Sequence, residues 1–449
     1  MYHKNNKYIQ IFFLYLPIAI FYYIISCHTG TEAHAQSDVY LSVRAGGSAF
    51  VTVAVDGFVS SNISGSMQTV RSTIIDDLAT SGYFFPSALP DSLKSRSGNV
   101  FEQWKKAGAR YYLFGQEKSG GKSVSVSLID LRTALTVLEE EYRIEASNAR
   151  YTAHVIVDDM IEHFTGMRGS MAAPIAYISA QGQNHELFLA DSDGHNSRQM
   201  SFSKTLNVSP AWSPDGTRIA YSSLNDNNWL IVMTNVNTGQ TDDITQWPGL
   251  NTTPAWSPVK AGVIAFTSSR DGNAEIYTCR TNGKDIRRLT NHRRIDSSPS
   301  WSPDGSKIAF ISDRTGNPLI YVMNSDGSGQ HRLTGTPAAY EGSPEWSPQG
   351  DRIVFVMMSD YGFDIATSSP DGSDVVALTF AQGTNENPTW SPDGLRIAFM
   401  STRLTGTRRL YVMNRDGSNI RLITNNGDNF SPAWAPSVTG NDCRISSQR

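Results

Sequence analysis

Few residues in this chain are spaced for chemistry. Gly120-Gly121-Lys122-Ser123 has the end of a phosphate-binding loop, but the first Gly of that pattern falls at Gln116. A strand pattern follows where a helix is needed, so the stretch reads as a hairpin turn. His185-Glu186 lacks a second His at the spacing of a zinc-binding helix, and no Gly-x-Ser-x-Gly nucleophile elbow occurs. Asp191-Ser192-Asp193-Gly194 could begin a calcium loop. Its sixth and twelfth positions are Asn196 and Phe202, where Gly and Glu are required, so it reads as turn chemistry. Repeated Asp-Gly pairs imitate paired carboxylates, yet their regular recurrence marks turns. Lys284, Arg287, Arg288, Arg293 and Arg294 form the one charge cluster. It is either a solvated strand-and-loop face or a docking patch for an acidic surface. The expectation is a protein with no catalytic, metal or cofactor residues.

The elements that carry these residues follow from composition and pattern. The chain has 449 residues, a formal charge of -4, 39% hydrophobic and 18% charged residues, and a mean hydropathy of -0.32. That describes a folded, water-soluble protein and excludes a strongly basic nucleic-acid binder. Residues 1–35 read as a signal peptide. Lys4 and Lys7 precede an apolar run from Ile9 to Ile25, and Ala33-His34-Ala35 offers a cleavage site between Ala35 and Gln36. An uncleaved anchor and a lipidated Cys27 are the alternative readings. Losing Lys4, Lys7 and Glu32 takes the formal charge from -4 to -5.

The strongest signal is an internal repeat. Pro-x-Trp recurs at Trp212, Trp256, Trp301, Trp346, Trp390 and Trp434, at spacings of 44, 45, 45, 44 and 44 residues. Ser-Pro-Asp-Gly or a variant follows most of them. Each repeat reads as four short strands, the arithmetic of a β-propeller blade. Ile175–Ser179, Leu187–Ala190 and Arg198–Ser201 supply second, third and fourth strands without a first, and Pro432–Pro436 supplies a first strand with little else. Together they make one blade, so six blades close through three N-terminal strands and one C-terminal strand, hiding both sheet edges. The Trp residues read as packing between blades. Cys279 and Cys443 are placed in blades separated by a whole blade, so they read as free thiols, Cys279 packed.

Residues 36–165 show no repeat and read as an α/β domain. Asp38–Val43, Phe50–Val55, Tyr111–Phe114, Ser123–Ile129 and Leu135–Ile144 are strand-like. Met67, Val70, Ile74 and Leu78 mark one helix, Phe101–Gly108 a second, and Ala153 to Phe164 a third. Residues 166–173 read as a linker and 174–449 as the propeller.

An exported α/β domain followed by these propeller repeats resembles the TolB family. The resemblance covers the whole mature chain. In the first domain it rests on Trp104-Lys105-Lys106-Ala107-Gly108-Ala109, Phe114-Gly115-Gln116, and Tyr151, Ala153, His154, Phe164, Thr165 and Gly166. At the start of the propeller it rests on Ile175–Ile178, Glu186-Leu187 and Asp193-Gly194. Prolyl-oligopeptidase-type enzymes carry similar repeats but need a hydrolase domain, and 13 residues follow Pro436. The resemblance implies a non-enzymatic, monomeric periplasmic scaffold of the Tol–Pal system. It would bind a Pal-like peptidoglycan-associated lipoprotein at the channel mouth and a TolA-like inner-membrane protein. Outer-membrane integrity, constriction at cell division and bacteriocin import follow as implied roles, with no cofactor, nucleic acid or membrane span after cleavage. Carried over by position, the TolA segment runs from Gln36 to Gly47, beginning with Gln36, Ser37, Asp38, Val39, Tyr40, Leu41, Ser42 and Val43, which agree with the family only in strand pattern. The lipoprotein-facing positions are Asn251, Thr252, Arg294, Asp296, Ser297, Tyr340, Glu341, Asn385, Glu386, Asn429 and Phe430. Gln349, Val259–Gly262 and Ala435 depart from the turn pattern. On the residues alone two other functions stay open: a glycan lyase or hydrolase using channel carboxylates such as Asp296 or Glu341, and a secreted ligand-binding propeller.

Overall fold

The computed structural model describes residues 51–59, 65–89, 99–335, 340–437, 439–440 and 443–445. The leader, Cys27, the Ala35–Gln36 cleavage site and the segment Gln36–Gly47 lie outside the described residues. So does the strand expected at Asp38–Val43.

Among the described residues the first domain is one sheet of five strands, β1 (Val51–Val59), β2 (Phe84–Ser87), β3 (Tyr111–Lys118), β4 (Ser123–Asp130) and β5 (Leu135–Arg143), in the order β2-β1-β3-β4-β5. β1 runs parallel to β2 and β3, while β3, β4 and β5 form an antiparallel meander. The alternation expected in β4 points Val124, Val126 and Leu128 into one core, under α1 (Ser66–Thr80) and α3 (Ala149–Thr165). Ala54, Trp104, Ala109 and Tyr112 form a smaller core beside α2 (Val100–Lys106). The Asn99 side chain caps α2 by accepting from the Phe101 N–H at 2.9 Å. Gly166, at φ 72°, ends α3 in the left-handed conformation. β2 was not evident in the sequence: it is four residues long and contains Pro86.

Six four-stranded sheets follow among the described residues. Blade 1 spans Asn207–Asp243, blade 2 Asn251–Arg288, blade 3 Asp296–Arg332, blade 4 Glu341–Ala377 and blade 5 Asn385–Leu422. In blade 6 the C-terminal strand Asp428–Trp434 pairs with Ile175–Gln181, followed by Asn184–Ala190 and Arg198–Gln199. The propeller therefore closes as the repeat count requires. Its core lies between neighbouring blades: Ala265 and Ile276 of blade 2, for example, cluster with Trp301, Ile308 and Phe310 of blade 3.

Three periodic devices join the blades. First, the indole N–H of Trp212, Trp256, Trp301 and Trp390 donates to a carbonyl of the preceding blade, on Ala433, Ala211, Ala255 and Glu345, at 3.0–3.3 Å. Trp434 donates to Ala173 at 3.1 Å, and the Trp346 indole has no hydrogen-bond partner. Second, every inner strand bulges before its Trp. Its Pro has no N–H for the ladder, so two residues face one across the pair. The bulged Ser209, Thr253, Ser298, Ser343, Asn387 and Ser431 all take φ between 47° and 55°. The freed N–H groups of Thr253 and Ser298 donate to Ser222 and Thr267 of the preceding blade, both at 3.0 Å. Third, in five of the six blades a Gly of the turn between third and fourth strands abuts the preceding blade; Gly239 of blade 1 does not. A Cβ on Gly372 would lie 1.7 Å from the Leu333 oxygen, and one on Gly327 2.4 Å from that of Leu289.

The Ser-Pro-Asp-Gly carboxylates are turn groups. Asp215, Asp304 and Asp393 each accept from their own Ser hydroxyl at 2.5–2.6 Å and from the N–H two residues on. Where Gln349 replaces Asp, Ser347 donates to Asp351 instead, at 2.7 Å.

Two placements differ from the sequence reading. Cys443 is not in the closing blade: it lies in the first domain's core. Its carbonyl accepts from Arg143 N–H at 2.7 Å and Ile445 N–H donates to Glu141 at 2.8 Å, extending the β5 edge. The sequence gives no periodic signal after Pro436, so this return is invisible in it. Nor is the end of the 166–173 segment a loose connection. Ser170, Met171, Ala172 and Ala173 are buried, because Asp158 accepts the Met171 and Ala172 N–H groups at 2.8 and 2.9 Å.

Candidate functional site: the open end of the propeller

Each blade is an antiparallel meander, so its turns sort to two ends. The Ser-Pro-Asp-Gly turns and the third-to-fourth-strand turns share one end. The first domain sits there: Ser170 donates to Asp393 at 2.6 Å, Arg396 to Ser170 at 2.7 Å, and Arg150 pairs with Asp193. The second-to-third-strand turns and the loops between blades share the opposite end, which is open among the described residues.

At the open end the first residue of five inner strands and the second of the closing one are polar and buried: Asn207, Asn251, Asp296, Glu341 and Asn385 are fully buried, and Asn429 nearly so. These side chains hold loops together. Asn251 donates to the carbonyls of Trp229 and Trp247 at 3.1 and 3.0 Å. Asp296 receives the Arg314 guanidinium at 2.9 and 3.2 Å. Asn385 accepts from Arg403 at 3.0 Å, and Glu341 accepts from Thr334 and from the Ile320 N–H. A second set of buried carboxylates organises the loops between blades. Glu275 accepts from Thr290 at 2.6 Å, His292 N–H at 2.7 Å and Arg288 at 3.0 Å. Glu186 accepts from Ser201 at 2.5 Å and Lys204 N–H at 2.7 Å, and Asp364 from Thr379 at 2.8 Å.

Of the eleven positions singled out in the sequence, Asn251, Asp296, Glu341, Asn385 and Asn429 thus face inward and offer no surface; Phe430 is only 6% exposed. The reason is that inner strands start below the rim, and their first side chains are consumed by the loops above. Thr252, Ser297, Tyr340 and Glu386 are partly exposed, and Arg294 is exposed. Burial pushes the Glu386 carboxyl up from its ordinary value, with Arg408 opposing. Arg408 lies flat over Phe430 at 4.0 Å and forks onto Asp428 at 2.5 and 2.8 Å, while His185 meets the Phe430 ring edge-on at 5.1 Å. Burial lowers the His185 pKa, with Arg408 adding to the effect. The imidazole, the aromatic ring and the guanidinium pack on one another at the open end. No aligned nucleophile and base stand among them.

The side chains that sequence reasoning missed lie in the loops themselves. Phe202 and Phe380, between blades, are 72% and 65% exposed; Tyr361 and Leu404, in second-to-third-strand turns, are 73% and 66% exposed. Their signal was available, as apolar residues inside otherwise polar turn segments. The basic stretch does not act as one patch. Lys284 lies in a turn at the first domain's end and Arg288 pairs with Glu275, whereas Arg293 and Arg294 are exposed at the open end.

Family comparison places these features among known proteins. Residues 161–438 match the TolB beta propeller domain and residues 39–136 the TolB amino-terminal domain. A protein TolB homolog of Chlorobium chlorochromatii is 32% identical over 61% of this chain, and the Tol-Pal system protein TolB of Alcanivorax borkumensis 31% over 53%. The chain spans 64% and 56% of the lengths of those two relatives. A TolB homolog of Chlorobium luteolum is 30% identical over 81% of this chain and 84% of its own. The crystal structure of TolB from Acinetobacter baumannii superposes with a TM-score of 0.76 at 28% identity, covering 87% of this chain and 97% of that one.

Proposed function

The chain belongs to the TolB family, and from that premise we propose that it is a non-enzymatic periplasmic component of a Tol–Pal system. Its open propeller end docks a Pal-like peptidoglycan-associated lipoprotein. The observation that carries this reading is the asymmetry of the propeller: one end is taken by the first domain, and the other presents exposed Phe202, Phe380, Tyr361 and Leu404 and, from the loop between blades 2 and 3, exposed Arg293 and Arg294. Apolar anchors with a polar, charged rim are the composition of a protein-docking face. An enzymatic channel is less well supported, because Asp296 and Glu341 are fully buried and hydrogen-bonded within loops. Among the described residues no helix is long and apolar enough to cross a membrane.

Within this proposal residues 1–35 direct export and are removed between Ala35 and Gln36. The segment Gln36–Val43 then serves a TolA-like partner. Immobilised mature chain, incubated with solubilised envelope from its own organism, should retain the Pal-like lipoprotein. Replacing Phe380 and Arg294 by Asp and Glu should release it. Failure of the wild-type chain to retain it would refute the proposal.

A further inference from the structure

The seam between α3 and the propeller contains a group of side chains that partner docking does not use. His154 lies on α3 and is 1% exposed. Its Nδ1 meets Asp77 of α1 at 2.7 Å. Its Nε2 points the other way, to the turn that carries Asp191 and Asp193 in blade 6. Nε2 has no hydrogen-bond partner, and the nearest Asp193 oxygen is 3.6 Å away. One ligand atom each from His154, Asp191 and Asp193 lies within 4.8 Å of the others.

We infer that His154, Asp191 and Asp193 bind a divalent transition-metal ion of the zinc class, which ties α3 to the propeller. Two ligand atoms held about 2.0 Å from a tetrahedral ion stand about 3.3 Å apart. The 3.6 Å gap is therefore slightly wider than a bound ion needs, and too wide for a good hydrogen bond. The surrounding groups orient the ligands. Asp77 accepts from Nδ1 and leaves Nε2 as the donor atom, the carboxylate–histidine arrangement common behind metal-ligating imidazoles. Asn196 holds Asp191 at 2.7 Å, and the His195 N–H and the Arg150 guanidinium hold Asp193. Three carboxylates face two guanidinium groups, those of Arg150 and, acting on Asp77 and Asp193 across the cluster, Arg421. With the imidazole neutral, as a ligating imidazole must be, the balance is negative. One imidazole with two carboxylates suits Zn²⁺ or Co²⁺; Ca²⁺ and Mg²⁺ require more oxygen ligands. A bound ion takes the place of the proton on Nε2, which is released to solvent. Asp191 and Asp193 are only partly buried, so the ion reaches the site from their side.

The test uses mature chain stripped with a chelator and titrated by calorimetry with Zn²⁺, then with Co²⁺ read by visible absorption. One equivalent of Zn²⁺ and the intense visible bands of four-coordinate Co²⁺ are expected, without competition from millimolar Mg²⁺ or Ca²⁺. His154→Gln and Asp191→Asn should each weaken Zn²⁺ at least 10-fold. Asp191 lies on a partly exposed turn, so its variant folds even if His154→Gln does not. Absence of a stoichiometric Zn²⁺ site, displacement by Ca²⁺, or unchanged affinity in folded Asp191→Asn would overturn the assignment. None of these readouts depends on lipoprotein binding.

Discussion

Asp158 holds the strap between the two domains and should make the protein less stable as pH rises through neutrality. Its carboxyl is 1% exposed and accepts two N–H groups, from Met171 and Ala172. Desolvation outweighs those bonds and the pull of Arg168, pushing its pKa up to about 7 from 3.8. The folded state therefore holds this proton more tightly than the unfolded chain. Its stabilising effect is complete below pH 3.8 and is lost as pH rises through 7. Between pH 6 and pH 8 linkage gives a loss of about 1 kcal/mol from this group alone. Asp158→Asn removes the titration but leaves one N–H facing an amide nitrogen, at a cost of about 1–3 kcal/mol at every pH. Urea unfolding of both proteins at half-unit steps from pH 6 to 8 separates the two effects. The wild-type advantage over the variant should shrink by about 1 kcal/mol across that window. Parallel profiles, or an advantage that grows with pH, would refute the assignment of a raised pKa to this carboxyl.

Three shorter predictions follow from the periodic devices and the thiols. Trp301 and Trp346 are equally buried, but only Trp301 donates its indole N–H, so Trp301→Phe should lower urea-unfolding stability by about 1 kcal/mol more than Trp346→Phe. Gly372→Ala should destabilise by about 3 kcal/mol or more, since its Cβ would strike the Leu333 carbonyl at φ 80°. Gly239→Ala, at φ 72° with nothing within 4 Å, should lose only about 1 kcal/mol in the same assay. Cys279 and Cys443 are each 1% exposed, and burial pushes the Cys279 thiol up to about 12, so Ellman's reagent at pH 8 should label neither until denaturant is added.

The propeller was legible because its devices repeat. Pro before Trp forces the bulge, Asp-Gly fixes the turns, and the spacing of the Trp residues counts the blades. The helices of the first domain were legible from apolar spacing, as with Met67, Val70, Ile74 and Leu78. Features made by single, distant contacts were not. β2 is too short and too interrupted by Pro86 to show alternation. The return of Cys443 and Arg444 to β5 and Asp159 depends on a pairing with no local signal. The positions picked from the sequence lie at the open end of the blades, but several of them are buried beneath its loops. Asn251, Asp296 and Asn385 are conspicuous because they repeat, and they repeat because each blade needs them to hold a loop. Phe202, Phe380, Tyr361 and Leu404 do not repeat, so periodicity passes over them. A docking surface for one particular partner has no reason to be six-fold.

That surface is also where the account is most directly tested. Calorimetric titration of the mature chain with the purified soluble domain of its own Pal-like lipoprotein, repeated with Phe380→Asp, addresses the open end alone. The account predicts saturable one-to-one binding that falls at least 10-fold in the variant, with circular dichroism unchanged. Absent binding, or equal affinity in a folded Phe380→Asp variant, would contradict it.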